Sequence, residues 1–406
     1  MKHVVGTYYL LSGAYNLAQF FIWAIYPLFL LSRGLDLFQT NAVLATYGIT
    51  VVLFEVPTGA VADVFGRRFA FVLGCGVRAV AYALYTLAHD FRTCVAAEFI
   101  DALGTTFVSG ALDAWMVDAA RAAGDTRPLD PVFARAAIVT RALMIAGGLA
   151  AGYLAERSLL YPWYVAAALF VAAGTAGALV MRDERRAPAG ERASLMQTGR
   201  AGLAIVARSP VLLLLCAVAL VTAMGTFPIH MLWPPRLRAL GAEQLHLIGW
   251  VVALLNVASL LGSAVLPRLL RRMRRETLLA AAACWRAATV ALLAGATGLV
   301  PALAGVLLQE IAFGLSDPVQ IAWTNEHVAA AERATVLSVR SMSYTLGGSA
   351  GLLAIGLLAR AQGIPAAFAA SAVLFALTVP GLVVLGRVAR RTALDAGAPA
   401  VVTPAA

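Results

Sequence analysis

A 406-residue chain that is 61% hydrophobic and only 13% charged lies far outside the composition of a soluble protein, and a mean hydropathy of +0.83 makes lipid its solvent. The net charge of +10 sits in short basic groups between apolar stretches, which fits a membrane protein and argues against a nucleic-acid partner. Cys75, Cys94, Cys216 and Cys284 all fall inside apolar stretches, so neither a disulfide framework nor a metal site is expected.

At about 20 residues per crossing, the apolar stretches at 8–31, 40–62, 69–88, 93–120, 131–155, 162–181, 210–233, 245–267, 277–297, 301–325, 335–360 and 364–386 predict twelve spans. The first lacks a strongly basic leader and a small-residue cleavage pattern, so it is expected to remain as span one. It carries Tyr15, Asn16, Gln19 and Trp23 at roughly helical spacing, a polar and aromatic stripe suited to a cavity wall. Trp23 and Tyr26 read equally well as interface anchors. Pro27, Pro57, Pro228 and Pro318 are tolerable kinks, because neighbouring helices can satisfy the freed backbone groups.

An ionised side chain inside a span costs roughly 2.5–3.5 kcal/mol on insertion scales, so each one is expected to be paired, cavity-facing or functional. Span two has Glu55, expected to meet Arg78 of span three or Arg141 of span five. Span four has Glu98 and Asp101 on one face, then Asp113, with Asp118 at its end. Span ten has Gln309, Glu310 and Asp317, the last beside Pro318. Arg78, Arg141, Arg286 and Arg340 are the candidate intramembrane ion-pair partners. Asp101 and Asp317 are the first choices for a carboxylate that titrates, and Glu98, Asp113 and Glu310 are expected to be held in salt bridges. Gly147, Gly148 and Gly152 in span five, with Gly347, Gly348 and Gly351 in span eleven, are expected to pack closely against the opposite half; close packing of any other kind reads equally well.

Alternate connections differ sharply in basic charge: one side holds twenty Arg and Lys, the other only six. The positive-inside rule then places both termini in the cytoplasm of a cell whose inner membrane holds the protein. The charged connection 182–209 separates two six-span bundles, 1–181 and 210–391, with 392–406 expected as a disordered tail. Residues 195–206 of that connection read either as an amphipathic helix or as plain linker. The halves look alike at an offset of 208: Arg78 falls on Arg286, Trp115 on Trp323 and Asp118 on Glu326. The fold class expected is an all-α membrane protein of twelve transmembrane helices in two pseudo-symmetric bundles.

Between spans two and three the chain reads Gly59, Asp63, Gly66, Arg67 and Arg68, spaced as G-x-x-x-D-x-x-G-R-R. This resembles the signature of the major facilitator superfamily, with Val64 standing where a basic residue is usual. The second half keeps only the basic character, at Pro267–Arg275. The resemblance implies alternating access, with spans one, four, seven and ten lining a cavity. It makes Gly59, Asp63, Gly66, Arg67 and Arg68 a cytoplasmic gating motif in which Asp63 engages the start of span eleven. Gly59 is expected to allow a close helix approach. Asp101, Asp317, Glu98, Glu310, Asn16 and Gln19 become the candidate proton or substrate site.

No nucleophile elbow, zincin motif or phosphate-binding loop occurs, so neither an enzyme nor an ATP-driven pump is expected, and no cofactor or metal is called for. Span five has no Pro between Arg141 and Glu156, so the Gly-Pro pattern that resembles the antiporter signature of drug exporters is missing. The functional expectation is a monomeric secondary transporter moving a small molecule across the bilayer, with protons as coupling ion. Export of a drug-like or toxic compound leads. Uptake of a nutrient or metabolite, and a receptor without transport, stay open.

Overall fold

The computed structural model describes residues 2–124, 128–182, 195–328 and 332–395. The described residues are helical wherever they are regular. Helices α1 (Lys2–Phe21), α2 (Tyr26–Ser32), α3 (Leu37–Phe65), α4 (Arg67–Leu87), α5 (Phe91–Val108), α6 (Ala111–Ala122), α7 (Asp130–Ala155) and α8 (Tyr161–Val180) come first. They are followed by α9 (Leu195–Arg208), α10 (Pro210–Ala239), α11 (Leu245–Leu270), α12 (Arg275–Gly295), α13 (Leu299–Glu326), α14 (Arg333–Gln362) and α15 (Ile364–Asp395). Eleven of the described stretches are long and apolar enough to cross a membrane, and α1 with α2, bent by 41°, makes a twelfth.

At two helix starts a polar side chain satisfies the first free amides. Asp36 accepts from the Gln39 amide and Asp90 from the Thr93 amide, each in a reciprocal capping box. Two spans are interrupted. Pro27 sits in the first turn of α2, where a missing N–H is harmless but continuing α1 through it is not. Span four breaks at Ser109–Gly110, where Gly110 takes φ +69°, a left-handed conformation that costs glycine little.

The chain divides into two compact units: Met1–Arg192 with Ala242–Ala253, and Ala193–Gly241 with Leu254–Ala406. The segment Ala242–Ala253 thus groups with the first unit. Gly249 packs on the backbone at Gly148, and Gly152 on that at Leu245 and His246, where larger side chains would hold the helices apart. The two units repeat one packing scheme. In the first, α4 lies against α5 and α8, and α1 against α7 and α8; in the second, α12 lies against α13 and α15, and α10 against α14 and α15.

Of the 182–209 connection, 183–194 falls outside the described residues, while 195–208 is the helix α9, with Gly202 against Thr335 and Val339 of α14. Of the expected tail, 392–395 continues α15 and 396–406 lies outside the described residues.

The glycines divide between the two expected readings: Gly148 and Gly152 meet Val252, Leu245 and His246 of α11, in the 210–391 half, whereas the others pack within their own half. Gly347 and Gly351 abut the Leu220 and Met224 carbonyls of α10, and Gly348 the Phe227 ring, all inside the second unit. In the first unit Gly147 meets Leu17 of α1 at 3.0 Å from an ideal Cβ position. These glycines tighten each unit internally, because a helix that must approach a neighbour's carbonyls has no room for a Cβ.

Candidate functional site

In the first unit Arg78 of α4 is held by five side chains. Its Nε donates to Asp101 Oδ1 at 2.7 Å and its Nη2 to Oδ2 at 3.1 Å, a bidentate pair. Its Nη1 donates to the Tyr15 hydroxyl at 2.7 Å and to Gln19 Oε1 at 2.9 Å, and its Nη2 reaches the Tyr82 hydroxyl at 3.4 Å. The guanidinium also lies 4.5 Å from the Phe170 ring centre. Both charges are almost fully buried, with side-chain exposures of 1% and 7%. The pair fits between the helices because Gly74 and Gly104 let α4 and α5 touch; a Cβ on Gly104 would stand 2.6 Å from Arg78 Cγ.

Glu98, one turn before Asp101, meets different partners. It accepts from the Tyr85 hydroxyl, which lies 3.0 Å from the Tyr26 hydroxyl and whose ring stacks on Trp163 at 4.3 Å. Its hydrogen-bond partner is thus a phenol, and it is 4% exposed. The pairing differs from the expectation: Asp101 is salt-bridged and Glu98 accepts from a phenol, because the Arg78 fork closes on the residue 23 positions away. Sequence spacing puts both on one face but cannot say which one the guanidinium reaches.

The second unit builds the same arrangement with other chemistry. Arg286 of α12 donates to the Thr226 hydroxyl at 2.8 Å and to Gln309 Oε1 at 3.3 Å, and stacks on Phe375 at 4.0 Å. Gln309 Nε2 donates to Glu310 at 2.8 Å. Gln309 stands 208 positions after Asp101, so the repeat seen for Arg78 and Arg286 extends to their partners, with a carboxamide replacing a carboxylate. This offset was the available signal for Gln309. Thr226, Tyr82, Tyr85, Phe170 and Phe375 carry no comparable signal, since aromatic and hydroxyl residues are common throughout apolar spans. Nearby, Arg340 lies 4.0 Å from Asp317 and donates to Gln320 at 3.4 Å.

Other candidates lie elsewhere. Asn16 donates to the Ser12 carbonyl of its own helix at 2.8 Å, and Arg141 is exposed on α7 and joins neither cluster. Asp113 accepts from the Tyr8 hydroxyl at 2.7 Å. Glu55 meets neither Arg78 nor Arg141; it accepts from the Ser109 hydroxyl at 3.2 Å, because the α5–α6 break presents that side chain. Among the described residues no cluster of three metal-ligating side chains occurs.

In the signature motif Asp63 pairs with Arg67 at 2.9 Å, one turn apart, and Gly66 takes φ +102° at the junction of α3 and α4. Arg68 donates to the Ala178 carbonyl in the last turn of α8. The expectation for Gly59 is not met: among the described residues nothing lies within 4 Å of the position its Cβ would take, so no close helix approach there uses it. The matching place in the second unit is occupied by two other pairs, Arg275 with Glu326 and Arg390 with Glu276, since Arg271 stands where Asp63 would fall.

Residues 3–318 match the family described as sugar transporters with 12 transmembrane spans, and residues 234–405 match the major facilitator superfamily. An uncharacterized MFS-type transporter of Bacillus subtilis, YxaM, is 25% identical over 167 residues, 41% of each chain. Two solved structures share the fold. The nucleoside transporter NupG superposes with a TM-score of 0.79 at 14% identity, covering 95% of this chain and 99% of NupG. A bacterial homologue of the human lysosomal transporter Spinster, inward-facing and unoccupied, superposes with a TM-score of 0.74 at 14% identity, covering 95% and 97%.

Proposed function

Because the chain belongs to the twelve-span sugar-transporter family of the major facilitator superfamily, we propose that it is a proton-coupled secondary transporter of a small polar solute, working by alternating access. Membrane transport follows from the family; the coupling ion, the solute and the direction are the proposal. The observation that carries it is Glu98, a buried carboxylate whose partners are phenols and which is therefore free to exchange a proton without abandoning a salt bridge. Asp101 has the complementary role of neutralising Arg78 and fixing α5 against α4.

A polar solute is supported by the carboxamides of Gln19, Gln309 and Gln320 in the clusters, by the family's description, and by the nucleoside specificity of NupG. Export of a drug-like compound, expected from the chain's size and span count, is the second reading. The excess of Arg in alternate connections supports cytoplasmic termini and an inner-membrane location. Asp63 with Arg67 and Arg68 is assigned to cytoplasmic gating, and the protein is taken to act as a monomer.

The test is flux in proteoliposomes under an imposed pH gradient, with labelled sugars, nucleosides and dyes as the panel. Glu98→Gln should abolish gradient-driven accumulation and retain solute exchange at equal pH. Accumulation persisting in Glu98→Gln would overturn the coupling assignment. A dye moving while sugars and nucleosides do not would select the export reading.

A further inference from the structure

Arg78 and Arg286 occupy equivalent places in the two units and are satisfied very differently. The first is closed by a bidentate carboxylate. The second, only 2% exposed, makes its hydrogen bonds to a hydroxyl and a carboxamide, and its Nε has no acceptor among the described residues. A buried guanidinium N–H without an acceptor is costly, more so at membrane depth. Beside Arg286 lies a cavity of about 20 Å³, with Thr222, Ser316, Gln320 and Thr378 in its wall. That is enough for one small guest. The Gln320 oxygen is already taken by Arg340, which leaves its amide hydrogens as donors, and Thr222 adds a hydroxyl. The surround therefore offers a cation and N–H and O–H donors.

We propose that this cavity is an anion site, in which a small monovalent anion supplies Arg286 with the negative charge that Asp101 supplies to Arg78. The anion is a free halide or a carboxylate no larger than acetate. Glu310 and Asp317 are the nearby acidic groups, and both are otherwise engaged, Glu310 with the Gln309 amide and Asp317 with Arg340. Anion binding at Arg286 does not depend on which carboxylate couples transport.

The experiment is thermal unfolding of the purified protein in lipid nanodiscs, titrated with sodium chloride, bromide or acetate against sodium gluconate at constant ionic strength. Gluconate is too large for the cavity. Binding should raise Tm by about 2 °C at saturation. A response to chloride and bromide identifies a halide site, and a response to acetate alone identifies a carboxylate subsite. Equal Tm in all four salts would overturn the proposal. Gln309→Asp, which supplies the missing carboxylate from within, should lose the response, while Gln309→Asn should keep it. A Gln309→Asp protein that still responds places the anion elsewhere and also overturns it; if that variant does not fold, the titration of the unaltered protein decides alone.

Discussion

A single residue type, arginine, does two jobs in this chain. Outside the spans it forms half-buried or exposed pairs such as Arg67 with Asp63 and Arg275 with Glu326, whereas Arg78 and Arg286 are buried at span depth and must be answered by the protein. Asp101 answers Arg78, and removing it leaves a buried cation, which costs far more than the pair contributes. Asp101→Asn should therefore destabilise the protein by about 3–5 kcal/mol, read as a large fall in Tm and in the monodisperse fraction in detergent. The double variant Arg78→Met with Asp101→Leu should recover most of that stability, because both charges leave together. If Asp101→Asn unfolds like the unaltered protein, the salt bridge is not what anchors α4 to α5.

At the scale of elements, small residues set which helices touch. Gly347 and Gly351 of α14 sit directly on backbone carbonyls of α10, so even one added methyl must push the helices apart. Gly351→Ala should cost about 1–3 kcal/mol. Gly59→Ala, with open space around it, should cost nothing and gains from reduced chain entropy. Thermal unfolding of the two variants side by side checks this. Equal losses would mean that Gly59 packs closely in solution. The break between α5 and α6 belongs to the same scale: Gly110 in a left-handed conformation turns one apolar stretch into two helices and sends Ser109 to Glu55.

At the scale of the whole molecule, the first unit includes Ala242–Ala253, a segment distant from it in sequence. Its exposed edge is tied by Glu156, which accepts from the His246 backbone N–H at 2.9 Å and meets its Nδ1 at 3.0 Å, while Tyr153 stacks on the imidazole. The backbone N–H of His246, aided by its ring, holds the Glu156 carboxyl below its ordinary value of 4.5. A depressed carboxylate contributes stability above its unfolded value and loses it as pH falls through the folded one. Tm should thus decline on acidification below about pH 4.5, and Glu156→Gln should flatten that part of the profile. An unchanged profile in the variant would assign the acid sensitivity to other groups.

Span number, two-unit repetition and the signature motif were legible from sequence because each is a one-dimensional pattern: apolar length, a fixed offset of 208, and a spacing of glycine, acid and arginine. The resemblance to the transporter superfamily rests on the same patterns, and the family match over residues 3–318 bears it out. Partner choice was not legible in that way. Whether Arg78 closes on Asp101 or Glu98, and whether Gly59 or Gly351 meets a neighbouring backbone, depends on helix rotation and separation. Packing sets both to fractions of an ångström, and no periodicity along the chain encodes them. Sequence thus determined that charges would be buried in these spans. Tertiary structure decided which of them are neutralised, because burial obliges a charge to find a partner and only three-dimensional proximity supplies one.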